Sequence, residues 1–250
     1  MGTAGGIIAV LLVVVSLGAF LLWSTGHLGD AGDFVRRVWP WHGSAEQLVV
    51  TPRLEEFFLQ TALSESAWRK VEPRVIKWAP GDVGVIEDGP KSARSSRLLR
   101  QELRTFSQLA GATDFVLRDS AGDIIVTYLP HKEYVRLHGS AGPGGTYDFK
   151  NVDRAGRITD VRLYVDSSFA NRRQVLVHLL AHAVGLVGQP RGSQFSASIL
   201  SSAQRSSRSD LSPLDRQAIR LLYDPRLKMG TTREQFRAQC VAPVSSKASR

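Results

Sequence analysis

V-L-V-H-L-L-A-H-A-V-G-L-V-G, residues Val175–Gly188, sets two histidines four positions apart in an apolar run, with Gly185 three residues beyond the second. On a helix, positions i and i+4 share a face, so the imidazoles of His178 and His182 can meet one metal ion. In zinc proteases this pattern carries a Glu directly after the first His, as general base. Here that position is Leu179. The spacing predicts a helix over Asn171–Val184, ended by Gly185, that offers two metal ligands without the group that would activate a bound water.

Reading outward, Ile158–Asp166 alternates, with Val161, Leu163 and Val165 on one face of a strand. Arg191–Asp210 is polar and Ser-rich, a long loop that contains the turn Ser198-Ile199-Leu200. L-S-P-L-D-R-Q-A-I-R-L-L-Y-D, Leu211–Asp224, then opens a helix: Ser212 is the N-cap, Pro213 sits at N1, and Asp215 at N3 completes a capping box. Upstream, Ser92–Ala110 reads as a helix with Leu99, Leu103, Phe106 and Ala110 as its buried side and Arg94, Arg97, Arg100 and Arg104 on its others. Gly111 stops it. Val75–Trp78, Val83–Ile86, Asp114–Leu117 and Ile124–Leu129 read as strands, Leu54–Trp68 as a helix, and Gly139–Gly145 as a loop.

The order strand, H-x-x-x-H-x-x-G helix, Ser-Ile-Leu turn and capped L-S-P-L-D-R helix resembles the catalytic half of the metzincin zinc proteases, above all their matrixin-like branch. It is similar, more closely, to a bacterial family of exported, metzincin-derived domains in which the HExxH helix is eroded while the segment matching Leu211–Gly230 persists. The resemblance covers about Ile158–Gly230, extends more weakly over Val75–Leu129, and leaves residues 1–70 aside. It implies an α+β, zincin-type domain: a mixed twisted sheet, a backing helix, an active-site-type helix and a C-terminal helix. It places His178 and His182 at the first two zinc-ligand positions, Leu179 at the base, Gly188 at the third ligand and Leu200 at the methionine of the turn below the metal.

These departures bear on chemistry. Catalytic zinc has three protein ligands and a water. Two histidines alone hold zinc weakly unless a remote side chain joins them, and spacing does not choose among His131, His138, Ser193 and Gln194. Removing a general base costs about 10²–10⁴-fold in rate. The leading expectation is therefore a catalytically impaired domain that binds a peptide or cell-envelope partner, with the cleft beside Ile124–Leu129 accepting an extended chain by strand addition. A zinc-dependent metallopeptidase with an atypical site is the first alternative. The second is a basic binder of anionic envelope polymer or membrane surface, using the arginines of Ser92–Ala110 and the loop Ala203–Arg208.

The chain of 250 residues carries a formal net charge of +9 and one cysteine, Cys240, so it has no internal disulfide. The charge favours anionic partners, but no aromatics interleave with the arginines, which disfavours specific nucleic-acid recognition. Gly5–Trp23 holds no charged residue and is long enough to span a bilayer. Residues 1–23 are thus expected to be a transmembrane anchor or uncleaved signal, 24–44 a juxtamembrane linker, 45–239 the metzincin-like domain and 240–250 a disordered tail. Arg36 and Arg37 argue weakly for a cytoplasmic domain. The resemblance argues for an extracytoplasmic one, and oligomeric state stays open.

Overall fold

The computed structural model describes residues 49–64, 72–139, 144–170, 172–201 and 209–240. The proposed membrane anchor, its linker and the tail after Cys240 lie outside the described residues. No described helix is long and apolar enough to cross a membrane.

Six helices and five strands follow in the order α1 (Pro52–Thr61), β1 (Gly81–Asp88), α2 (Ala93–Ala110), β2 (Thr113–Leu117), β3 (Ile124–Leu129), α3 (His131–His138), β4 (Gly145–Val152), β5 (Ile158–Asp166), α4 (Arg173–Ala183), α5 (Pro213–Leu222) and α6 (Arg233–Cys240). The fold is α+β. One mixed sheet runs in the order β2-β1-β3-β5-β4, with every neighbouring pair parallel except β4, which is antiparallel to β5. Parallel neighbours need a crossover, and the 18-residue α2 supplies it between β1 and β2. Ser92 starts α2 with a capping box closed by Ser95, and Gly111, at φ 67°, ends it.

Alternation sets the sheet's two faces. Ile124, Val126 and Tyr128 of β3 and Val161, Leu163 and Val165 of β5 are fully buried, and their intervening neighbours are half-exposed. Leu54, Phe57 and Phe58 of α1 join this core, with Phe57 against Phe195 (ring centroids 5.4 Å apart) and Phe58 against Phe236 of α6 (4.9 Å). Helix α1 is shorter than the Leu54–Trp68 reading, ending at Thr61.

Two expectations need correction. Val75–Trp78 is not a strand of the sheet. It is a buried thread whose backbone bonds go to different segments: Val75 N–H to Thr231 O, and Lys77 N–H to Gly156 O. Its side chains anchor helix ends. The Trp78 indole donates to Ala183 O (2.9 Å), and the Lys77 ammonium donates to Leu222 O (2.9 Å) and Leu227 O (2.5 Å). Burial pushes the Lys77 pKa down to about 8, against the pull of Asp224. Second, Ile124–Leu129 has no free edge for strand addition, although Ile125 and Thr127 line an open cavity of about 730 Å³ with Asp160, Arg162 and Tyr164. It lies inside the sheet between β1 and β5; the edges are β2 and β4, the latter a strand not expected from the sequence. At Gly185, φ is 116° and an added Cβ would sit 2.2 Å from Ile76 O, so the turn after α4 needs glycine to pass the thread.

Candidate functional site

Helix α4 is buried on nearly all sides: Val175, Leu176, Val177, Leu179, Leu180, Ala181, His182 and Ala183 are all inside. That is the pattern of a helix packed through the middle of a domain. His178 and His182 meet one turn apart on one side of it. Their rings stand 4.6 Å apart at 84°, and their Nε2 atoms lie 3.2 Å apart.

The other ring nitrogens fix the chemistry. His178 Nδ1 donates to Ile199 O (2.9 Å) and His182 Nδ1 donates to Leu186 O (2.6 Å). A carbonyl can only accept, so each Nδ1 carries a proton and each ring turns its Nε2 toward the other. Lone pairs facing at this distance repel unless a proton or a cation lies between them. Zinc–nitrogen bonds of about 2.0–2.1 Å at a tetrahedral angle separate two nitrogens by about 3.3–3.4 Å. The pair is thus spaced as two ligands of one ion. His182 is wholly buried, and that burial, followed by the proximity of His178, holds its pKa well below 6.5. It stays neutral at pH 7, as a ligand must.

The turn beneath the pair is tied to α5 by one carboxylate. Asp215, 0% exposed, accepts from Ser198 Oγ (2.5 Å), Ile199 N–H (3.1 Å) and Ser212 N–H (2.8 Å). Ser212 Oγ accepts from Asp215 N–H, completing the capping box expected from the sequence. Leu200 N–H donates to Ser198 Oγ (3.0 Å). The α5 cap therefore holds the Ser198–Leu200 turn, and through it the carbonyl that orients His178.

The positions that would complete a catalytic zinc site are filled otherwise. Leu179 is 1% exposed, and its Cδ1 lies 2.6 Å from where a Cβ on Gly145 would stand, so it packs on the β4 backbone. Gly188 donates its N–H to Thr61 O (2.7 Å), and a Cβ there would lie 2.1 Å from Gln60 O. No side chain fits at Gly188 without moving the end of α1. The four remote ligand candidates are placed as follows. His131 Nδ1 bonds Asp166 (2.6 Å), and His138 stacks between Tyr134 and Tyr164. Ser193 and Gln194 form a 3-10 turn, where Gln194 bonds Arg53 and Glu56 of α1. Among the described residues no three His, Cys, Asp or Glu side chains converge as a metal site. The described residues do not make up a catalytic zinc site.

Tyr147 of β4 was not singled out in the sequence. Its ring stacks on His182 (4.2 Å, 23°), and its hydroxyl donates to Val187 O (2.9 Å). Burial pushes its pKa up to about 12, so the hydroxyl keeps its proton. Beside His178, a cavity of about 20 Å³ is lined by Gly145, Gln174, Leu179, Ile199 and their neighbours. That is room for roughly one water and not for a substrate.

What this geometry defines is an α+β domain with a histidine pair, His182 buried and His178 half-buried, held between a mixed sheet and the turn that the capped helix α5 secures. The chain belongs to the family described as "Protein of unknown function (DUF2927)", whose model matches residues 51–241, the span of the fold described above. No curated protein matches the chain.

Proposed function

We propose that this is a metzincin-like domain whose peptidase centre has lost its chemistry, and that it acts by binding an extended peptide or cell-envelope partner. The order along the chain of the helix α2, the histidine-bearing α4, the Ser198–Leu200 turn and the capped α5 supports that reading. The observation that carries the loss of chemistry is Leu179 seated on the Gly145 backbone at the general-base position. A leucine accepts no proton, and the single-water cavity beside it admits no scissile bond. Strand β4 has one strand neighbour and exposes Asp148, Lys150 and Asn151, so its outer edge is the place for strand addition. Residues 5–23 would hold the domain at the membrane, on its extracytoplasmic side.

The 3.2 Å separation of the two Nε2 atoms favours a second reading, weak zinc binding without proteolysis. One experiment addresses both. The purified full chain is assayed for zinc content and for cleavage of denatured protein substrates, with and without chelator. Expected are substoichiometric zinc that is lost in His178→Ala, and no chelator-sensitive cleavage. Cleavage that chelation and His178→Ala both abolish would overturn the proposal.

A further inference from the structure

The outer face of α2 is a second functional surface, and we infer that its arginine stripe docks the domain flat on an anionic lipid bilayer. At 100° per residue, Arg94, Arg97, Arg100 and Arg104 fall within about 120° of arc. That arc lies opposite the buried side formed by Ser95, Leu99, Glu102, Leu103, Phe106, Leu109 and Ala110. All four arginines are exposed, and none of their side chains makes an ion pair or hydrogen bond among the described residues.

An ordinary solvated face interleaves acids with bases at i, i+4 and gains from their pairing. This one holds no acid. The only carboxylate of α2, Glu102, is 1% exposed and turned inward to Arg173 (2.6 Å). The consecutive arginines repel at spacings of three, three and four. Arg94 sits in the first turn, where the helix dipole is positive and where no acidic residue is present. Each of these features costs the isolated helix stability, and each is relieved by a surface of negative charge.

The occupant is a lipid surface because of where the chain goes next. Between the uncharged run ending at Trp23 and Val50 lie 26 residues, a length that reaches at most about 90 Å. A domain tied to a bilayer by that run meets headgroups on every encounter. Such a span fixes the chain to the bilayer by itself, so the basic face is left to set how the domain lies on the anionic headgroups. This inference stands apart from the histidine pair and from any partner on β4.

The test uses the full chain reconstituted in vesicles of phosphatidylcholine, alone or mixed with phosphatidylglycerol. Modification of individual arginines by phenylglyoxal is read by mass spectrometry. Expected is protection of Arg94, Arg97, Arg100 and Arg104 in the anionic vesicles only, lost when salt is raised. Exposed Arg136 of α3 serves as the reference outside α2. In Arg97→Gln/Arg100→Gln, protection of Arg94 and Arg104 falls by roughly fivefold for each charge removed, whereas Arg97→Lys/Arg100→Lys keeps it and shows the fold intact. Equal modification in both vesicle types overturns the inference. So does protection by added RNA or polyphosphate without protection by anionic vesicles, which would make a soluble polyanion the occupant.

Discussion

The two sides of the histidine pair are built on opposite principles. Below it, the turn Ser198–Leu200 and the α5 cap form a polar network in which one buried carboxylate satisfies three donors. Above it, toward β4 and α1, the ligand and base positions are closed by a leucine side chain and by a glycine pressed on a carbonyl. The first arrangement shapes and orients the fold, and the second leaves no place for a reacting group. On the reading proposed above, the scaffolding of a metal centre persists as structure while its reacting positions are given over to packing.

The sharpest way to break that contrast is Asp215→Ala. It strands three buried donors, so a loss of about 3–5 kcal/mol in urea unfolding of the full chain is expected. A loss below about 1 kcal/mol would mean the network does not hold the turn. Next is Leu179→Glu, which restores the proton acceptor by type. At a 1% exposed site packed on backbone, it is expected to cost about 3 kcal/mol and to yield no peptidase activity. Gain of chelator-sensitive cleavage in that variant would show that the upper side had lost only one residue, and not its room.

The pH dependence sharpens the comparison further. With the His182 pKa held below 6.5 in the folded chain, the unfolded chain takes up a proton that the folded one refuses. Stability present above 6.5 is therefore lost as pH falls, by up to about 1.4 kcal/mol per pH unit. Comparing urea midpoints at about pH 7.5 and about pH 5.5, His182→Gln should flatten that slope; an unchanged slope would place the acid sensitivity elsewhere. The smallest effect is expected for Tyr147→Phe, which removes the bond to Val187 O and costs about 1 kcal/mol by the same measurement.

Much of the fold was legible where periodicity and end signals coincide. Strands β3 and β5 have the predicted bounds, Ser212 caps its helix as read, and the helix read over Ser92–Ala110 runs from Ala93 to Ala110. The misses have physical causes. Strand β4 is an edge strand of irregular burial, so G-T-Y-D-F-K-N-V shows no clean alternation. Helix α3 has no side-chain cap and buries only Tyr134. The thread Val75–Trp78 is apolar like a buried strand, and sequence alone does not show that its bonds scatter to residues 156 and 231. In the site, the histidines, turn and cap were readable because each is a local spacing. Tyr147 over His182 and α1 against Gly188 were not, because they are contacts between segments far apart in the chain.

The Lys77 ammonium has a kinetic consequence. Its two carbonyl acceptors, Leu222 O and Leu227 O, lie 145 and 150 residues downstream. On a ribosome adding about 5–20 residues per second, the lysine waits roughly 8–30 s for the second to be synthesised. The Trp78 indole waits on Ala183, 105 residues on. Strands β1, β2 and β3 can pair in that interval, but the thread joining them to the rest stays unlocked until the last helices emerge. Assembly of this domain therefore closes from its C-terminal end, and a chain cut short before Leu222 keeps neither carbonyl acceptor for the cation in its core.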